Sequence, residues 1–145
     1  MLSKPIDQAS QDAPRFTLAG HRPIVVCVDD DRQILSALER TLRNDAYETW
    51  TTDGPHNVLE WLRTGRVSVL MADQSMPGMK GTELLKSARE LSPQTARILV
   101  TAVPEDPLVL KAMETIEFRM MRKPWDDLAL RGLVRERLQV GVPSA

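Results

Sequence analysis

Short apolar runs alternate with amphipathic stretches along the chain from residue 23 onward. Five runs predict strands at residues 23–28, 47–51, 67–73, 96–101 and 118–122, and the first, third and fourth of them are rich in valine, isoleucine and leucine. The short second strand is predicted to lie near an edge of the sheet. Between and after the five strands, apolar side chains recur every three to four residues, which is typical of helices that pack one face on a core. The spacing predicts helices that begin near Asp31, Pro55, Gly81, Asp106 and Trp125, the last of them ending at Gln139.

Local signals support these boundaries. Asp31 is a good amino-terminal cap, Pro55 suits a first helical turn, and Gly65 ends the second helix. Five strand–helix units in series predict an α/β fold, with one parallel sheet covered by helices on both faces and right-handed crossovers. In such folds ligands bind beyond the carboxyl ends of the strands.

Composition narrows the class of protein. The chain has 145 residues, 42% hydrophobic and 27% charged, which fits one soluble domain with a real core. We expect a flexible tail at 1–22, the domain at 23–140 and a short tail at 141–145. A net charge of −1 predicts no direct nucleic-acid partner. The absence of a long apolar run and of a signal peptide predicts a cytoplasmic protein with no membrane partner.

Charged side chains follow three of the predicted strands. Asp29 and Asp30 follow the first strand, Asp73 ends the third, and Lys123 follows the fifth. Carboxylates that share one edge of a sheet resist ionising together unless a cation is near. Mg²⁺ prefers oxygen ligands, so we expect it to bind Asp30, Asp73 and the backbone carbonyl of Ser75, with Asp29 acting through water. This arrangement would place Mg²⁺ beside an aspartate that can accept a phosphoryl group.

Each of these residues also has an ordinary structural interpretation. Acidic residues suit the amino end of a helix, and Asp73 precedes a Met-Pro-Gly turn. Thr101 is a β-branched residue at the end of a strand, and Lys123 alone would be a solvated cation. Taken together they favour a phosphoryl site, in which the Thr101 hydroxyl donates to a phosphoryl oxygen and Lys123 neutralises its charge.

The pattern of these residues resembles the receiver domain of two-component response regulators. The resemblance covers about residues 23–139. The matching stretches are 25–31 (VVCVDDD), 69–79 (VLMADQSMPGM), 98–102 (ILVTA) and 122–125 (RKPW). Residues 73–79 (DQSMPGM) and 123–127 (KPWDD) are also similar to a subgroup often fused to HD-type phosphodiesterase or other output modules.

The resemblance implies a flavodoxin-like, doubly wound sheet of five parallel strands in the order 2-1-3-4-5, with five helices. It implies that Asp73 is the phosphoacceptor, that Asp29 and Asp30 are the acidic metal pair, and that Lys123 is the active-site lysine. Thr101 would be the switch hydroxyl. The implied cofactor is Mg²⁺, and the implied partners are a sensor histidine kinase or phosphotransfer protein and a downstream output domain or protein. A homodimer is a further expectation.

The switch residue departs from the family pattern. Receivers usually carry Tyr or Phe three residues before the lysine, whereas this chain has Met120, so the usual aromatic movement is not available. We expect the last two helices and the fifth strand to form the output surface. Core packing is the alternative for each of its apolar candidates. They are Val109, Met113, Trp125 and Leu128.

Two other functions stay open. A receiver that binds partners without phosphorylation would account for Met120. A Mg²⁺-dependent phosphohydrolase is disfavoured, because such enzymes need a second acid two residues after the nucleophile and this chain has Ser75 there. We therefore expect no enzymatic activity beyond self-phosphorylation from a phosphodonor and autodephosphorylation. The sequence leaves open whether the chain acts alone or is a piece of a longer regulator.

Overall fold

The computed structural model describes residues 22–44 and 46–140. Five strands form one parallel sheet in the order β2-β1-β3-β4-β5, which confirms the predicted fold class. The strands are β1 (Ile24–Val28), β2 (Glu48–Thr52), β3 (Val67–Asp73), β4 (Ala96–Thr101) and β5 (Arg119–Arg122). Apart from Arg22, the two predicted tails lie outside the described residues.

Five helices connect and follow the strands. They are α1 (Arg32–Leu42), α2 (Pro55–Arg63), α3 (Gly81–Leu91), α4 (Pro107–Ala112) and α5 (Asp127–Val140). The first four begin within a residue of the predicted positions, and α5 begins at Asp127, two residues after the predicted start near Trp125. Asp126 provides the physical reason, because its side chain accepts a hydrogen bond from the Ala129 amide at 2.8 Å and its carbonyl accepts one from Leu130 at 2.9 Å. These bonds start the helix after Trp125.

The central strands are buried on both faces, which explains why β1 and β3 are almost continuously apolar, whereas the edge strands β2 and β5 carry several polar or charged residues. Successive side chains of a strand point to opposite faces, so Val26 and Cys27 belong to different cores. Helices α2, α3 and α4 cover the Val26 face, and α1 and α5 cover the Cys27 face. Trp50 and Trp61 are buried and pack edge to face at 5.2 Å, as expected of packing residues.

Strand register brings distant residues to one edge. Val28 pairs with Ala72, so Asp29 and Asp73 follow at neighbouring positions, and Thr101 pairs with Arg122 directly before Lys123. Asp31 accepts a hydrogen bond from the Gln33 amide at 2.9 Å and caps α1, as predicted. Among the helices of the described residues, none is long and apolar enough to cross a membrane.

Candidate functional site

Three carboxylates meet at the carboxyl edge of the sheet. Asp29, Asp30 and Asp73 each place a carboxylate oxygen within 4.8 Å of the others. Asp29 is 2% exposed and Asp73 is 7% exposed, whereas Asp30 is exposed to solvent. The sheet therefore gathers the acidic residues that the sequence placed after β1 and at the end of β3.

Lys123 bridges the two buried carboxylates. Its Nζ donates to Asp29 Oδ2 and to Asp73 Oδ1, both at 2.8 Å. Its backbone N–H donates to the Thr101 carbonyl at 2.8 Å, and the Lys123–Pro124 peptide bond is cis. The neighbouring Arg122 is exposed and pairs instead with Glu105 at 2.7 Å. Of two adjacent cations, only Lys123 thus enters the site.

Burial and charge act in opposite directions on these groups. Burial raises the pKa of Asp29, and the bonds from Lys123 and the Asp31 amide only partly offset that rise. The nearby charge of Asp73 also raises the pKa of Asp29. Burial alone would lower the pKa of Lys123, but its hydrogen bonds to the two carboxylates outweigh burial and raise that pKa. The ammonium is therefore held in its charged form.

The cavity above the cluster suits a hard cation. Lys123 is the one cation among the described residues that line it, against five aspartates. No histidine or cysteine lies among these lining residues, so the donor set favours Mg²⁺ over a softer metal such as zinc. Ser75 lines the same cavity and is exposed. The residues that could hold the ion are Asp29, Asp30, Asp73 and the carbonyl of Ser75.

Thr101 lies at the wall of this cavity. It ends β4 and is 4% exposed, and its Oγ1 accepts a hydrogen bond from the Val103 amide at 3.0 Å. Because the hydroxyl accepts in this bond, it can still donate its own hydrogen. Ala102 next to it also lines the cavity, and its methyl side chain leaves room there.

Two residues that sequence reasoning missed hold the backbone at Asp73. The buried Gln74 accepts a hydrogen bond from the Thr82 amide at 2.8 Å, and its carbonyl accepts one from Gly81 at 3.1 Å. A Cβ at Gly81 would lie only 2.3 Å from the Asp73 carbonyl oxygen. The one available signal was a glycine within a predicted helix, which often has a packing reason. Gln74 has no such signal in the sequence, because a glutamine after a strand is not distinguishable from other polar turn residues.

The apolar residues considered for the output surface divide between core and surface. Val109 is fully buried and belongs to the core beneath α4. Trp125 is partly buried, whereas Met113 is 50% exposed and Leu128 is 73% exposed. Met120 is partly buried and packs against the same core as Val109. The side chain at the predicted switch position thus packs against the core beneath α4.

A doubly wound sheet with this acid–lysine cluster at its carboxyl edge defines a class of signalling domain. The profile of the family described as "Response regulator receiver domain" matches residues 25–135. The chain therefore belongs to the response regulator receiver domain family.

Individual relatives agree with this assignment. The chain is 35% identical over 105 residues to the DNA-binding transcriptional regulator NtrC of Escherichia coli K12, a match that covers 72% of this chain and 22% of NtrC. It is 31% identical over 120 residues to the cyclic di-GMP phosphodiesterase response regulator RpfG of Xanthomonas campestris, covering 80% of this chain and 32% of RpfG. The chain thus spans less than a third of the length of these curated relatives.

A solved structure shows the same fold. The signal receiver domain of an HD domain-containing protein from Pseudomonas fluorescens superposes with a TM-score of 0.77 at 30% identity. The match covers 83% of this chain and 98% of that domain. This neighbour belongs to the kind of HD-fused receiver that the sequence resembled.

Proposed function

We propose that Asp73 accepts a phosphoryl group from a phosphohistidine of a sensor histidine kinase or phosphotransfer protein. The modified domain then signals to a downstream output domain or protein. The observation that carries the proposal is the bridge from Lys123 Nζ to Asp73 and Asp29, 2.8 Å from each, within a cluster of three carboxylates. Membership of the receiver family supports the same conclusion.

Asp73 has two carboxylate oxygens, and Lys123 engages Oδ1. In the proposed reaction the other oxygen, Oδ2, attacks phosphorus. A bond from Oδ2 to phosphorus forms as the bond from phosphorus to the donor imidazole nitrogen breaks, and that nitrogen keeps the electron pair. Lys123 offsets charge on the transferring group, a contribution of positioning and electrostatics. A Mg²⁺ ion bound to Asp29, Asp30, Asp73 and the Ser75 carbonyl would supply further positive charge there.

Thr101 connects the site to the output surface. The phosphorylated aspartate carries about −1.5 to −2 charge in place of one carboxylate charge, which favours a new hydrogen bond from the Thr101 hydroxyl. Thr101 is bonded to Val103 in the loop that leads to α4 and to Lys123 after β5, so movement of Thr101 acts on both. Such couplings are typically about 1–3 kcal/mol, enough to bias a surface between two states. Met120 then responds through packing and not through an aromatic rotation.

Labelling with a small phosphodonor tests the proposal. Incubation with acetyl phosphate and Mg²⁺ should add one phosphoryl group to the protein, detected by intact mass. Asp73→Asn should abolish the label. Asp106→Asn is the matched control, because Asp106 lines the same cavity and asparagine can still cap α4. Equal labelling of wild type and Asp73→Asn would refute Asp73 as the acceptor.

The same experiment distinguishes the alternative functions. Absence of label on wild type would favour a phosphorylation-independent binding module, the alternative that Met120 supports. Catalytic turnover of unrelated phosphoesters would favour a phosphohydrolase. Homodimerisation and the lack of direct nucleic-acid binding stay predictions of the sequence.

A further inference from the structure

We infer that Trp125 is a positioning residue for Lys123, through hydrogen bonds that tie the β5–α5 connection to α1. This inference rests on the proposed function. The Trp125 indole Nε1 donates to Thr41 Oγ1 at 3.2 Å and to Asp127 Oδ1 at 3.1 Å. Thr41 Oγ1 in turn donates to Asp127 Oδ1 at 2.9 Å. The three side chains form a closed set of bonds between the end of α1 and the start of α5.

These bonds help to hold the backbone at Lys123 in place. On one side, the Lys123 amide donates to the Thr101 carbonyl at 2.8 Å. On the other side, two residues further along, the Trp125 indole is bonded to α1 and α5. The ammonium bonds two carboxylates at once, which leaves the four-carbon stem little freedom to compensate for a shift of the Lys123 Cα. A shift of about 1 Å would lengthen 2.8 Å bonds beyond the normal hydrogen-bond range.

The hydrogen-bonded residues Thr41, Trp125 and Asp127 have further neighbours in common. Thr41 is 7% exposed, and its carbonyl accepts a further hydrogen bond from Arg131 at 3.2 Å. Thr41, Trp125, Asp127 and Lys123 all line one cavity on the α1 side of the site. Removing Trp125 or Thr41 would therefore break one or two of the hydrogen bonds that tie the β5–α5 connection to α1.

Trp61 provides a contrast within the same chain. Its indole is 4% exposed, but its Nε1 has no hydrogen-bond acceptor among the described residues. Trp61 packs on the other face of the sheet, against Trp50. Replacing Trp61 with phenylalanine makes the same change of side chain but removes no hydrogen bond among the described residues, so it serves as a control for Trp125→Phe.

The test measures the maximal rate of labelling by acetyl phosphate in the full chain. Trp125→Phe and Thr41→Val should each lower this rate by about two- to tenfold, the effect of losing one or two such hydrogen bonds. Thr41→Ser keeps the hydroxyl and should restore the wild-type rate. Trp61→Phe should leave the rate unchanged. If Trp125→Phe does not fold, the comparison of Thr41→Val with Thr41→Ser still tests the inference.

A double-variant comparison shows whether Trp125 acts through Lys123. Trp125→Phe should slow labelling in the wild-type background but have no further effect in the slower Lys123→Met background. If instead the fold-decreases in labelling rate caused by the two substitutions multiplied in the double variant, Trp125 would have only a structural role, and the inference would be overturned. A wild-type rate in both Trp125→Phe and Thr41→Val would overturn it as well. If wild type itself takes no label, the proposed function fails and the inference falls with it.

Discussion

Replacement of Gly81 by alanine tests how closely α3 holds the backbone at Asp73. The new Cβ would lie 2.3 Å from the Asp73 carbonyl oxygen, 2.8 Å from the Asp73 carbonyl carbon and 2.9 Å from Gln74 Cα. All three are backbone atoms, so no flexible side chain can move aside. Ordinary contact begins at 3.4 Å, and α3 or the end of β3 must therefore shift by about 1 Å.

The expected cost follows from this geometry. Overpacking of a well-packed region typically costs about 1–3 kcal/mol, and we expect Gly81→Ala to lower the free energy of unfolding by about that amount. Gly132 in α5 is the matched control, because a Cβ there meets nothing within 4 Å. Gly132→Ala should raise the free energy of unfolding by about 0.5–1 kcal/mol, since alanine is the better helix former. The same substitution should thus have opposite signs in two helices.

Urea denaturation followed by tryptophan fluorescence measures both variants, since Trp50 and Trp61 are buried. Gly81→Ala should also label more slowly with acetyl phosphate, because a 1 Å shift, about the size needed to relieve the contact, would move the Asp73 carboxylate away from Lys123. Gly132→Ala should label at the wild-type rate. A Gly81→Ala midpoint at or above that of wild type would refute the argument that this glycine is required by close backbone approach.

Two further predictions concern ionisation. The pKa of Lys123 is raised in the folded state, so its stabilising effect is complete below the ordinary value of 10.5 and is lost as pH rises through the folded pKa. Without Mg²⁺, the free energy of unfolding should fall more steeply above that pH in wild type than in Lys123→Met, and equal slopes would contradict this. Burial raises the pKa of the Cys27 thiol, so a thiol reagent near neutral pH should modify Cys27 only as urea unfolds the chain. Rapid modification of the native protein would show that the thiol is accessible.

The order of strands and helices along the chain could be predicted because the local spacing of apolar and polar residues indicates each element. The central strands of a parallel sheet covered on both faces are almost continuously apolar, and β1 and β3 show this pattern. The helices on its faces need one apolar side, which their spacing shows. The clustering of Asp29, Asp73 and Lys123 could be predicted from the same patterns, because the carboxyl ends of parallel strands share one edge.

The sequence could not show how two residues of the same type differ in their surroundings. Gly81 and Gly132 are both helical glycines, yet only Gly81 lies against another backbone segment. Trp125 and Trp61 are both largely buried indoles, yet only Trp125 has hydrogen-bond acceptors near its N–H among the described residues. Such differences depend on which distant segment lies opposite, and no local pattern contains that information.

The position of Lys123 shows the same difference between what the sequence determined and what the tertiary structure decided. The sequence by itself determined that a lysine follows the fifth strand and that a helix comes after it. Only the tertiary structure decided that the ammonium lies between two carboxylates. Lys123 and Asp29 are 94 residues apart in the chain, and their 2.8 Å contact exists because packing of the whole sheet brings β1, β3 and β5 into register.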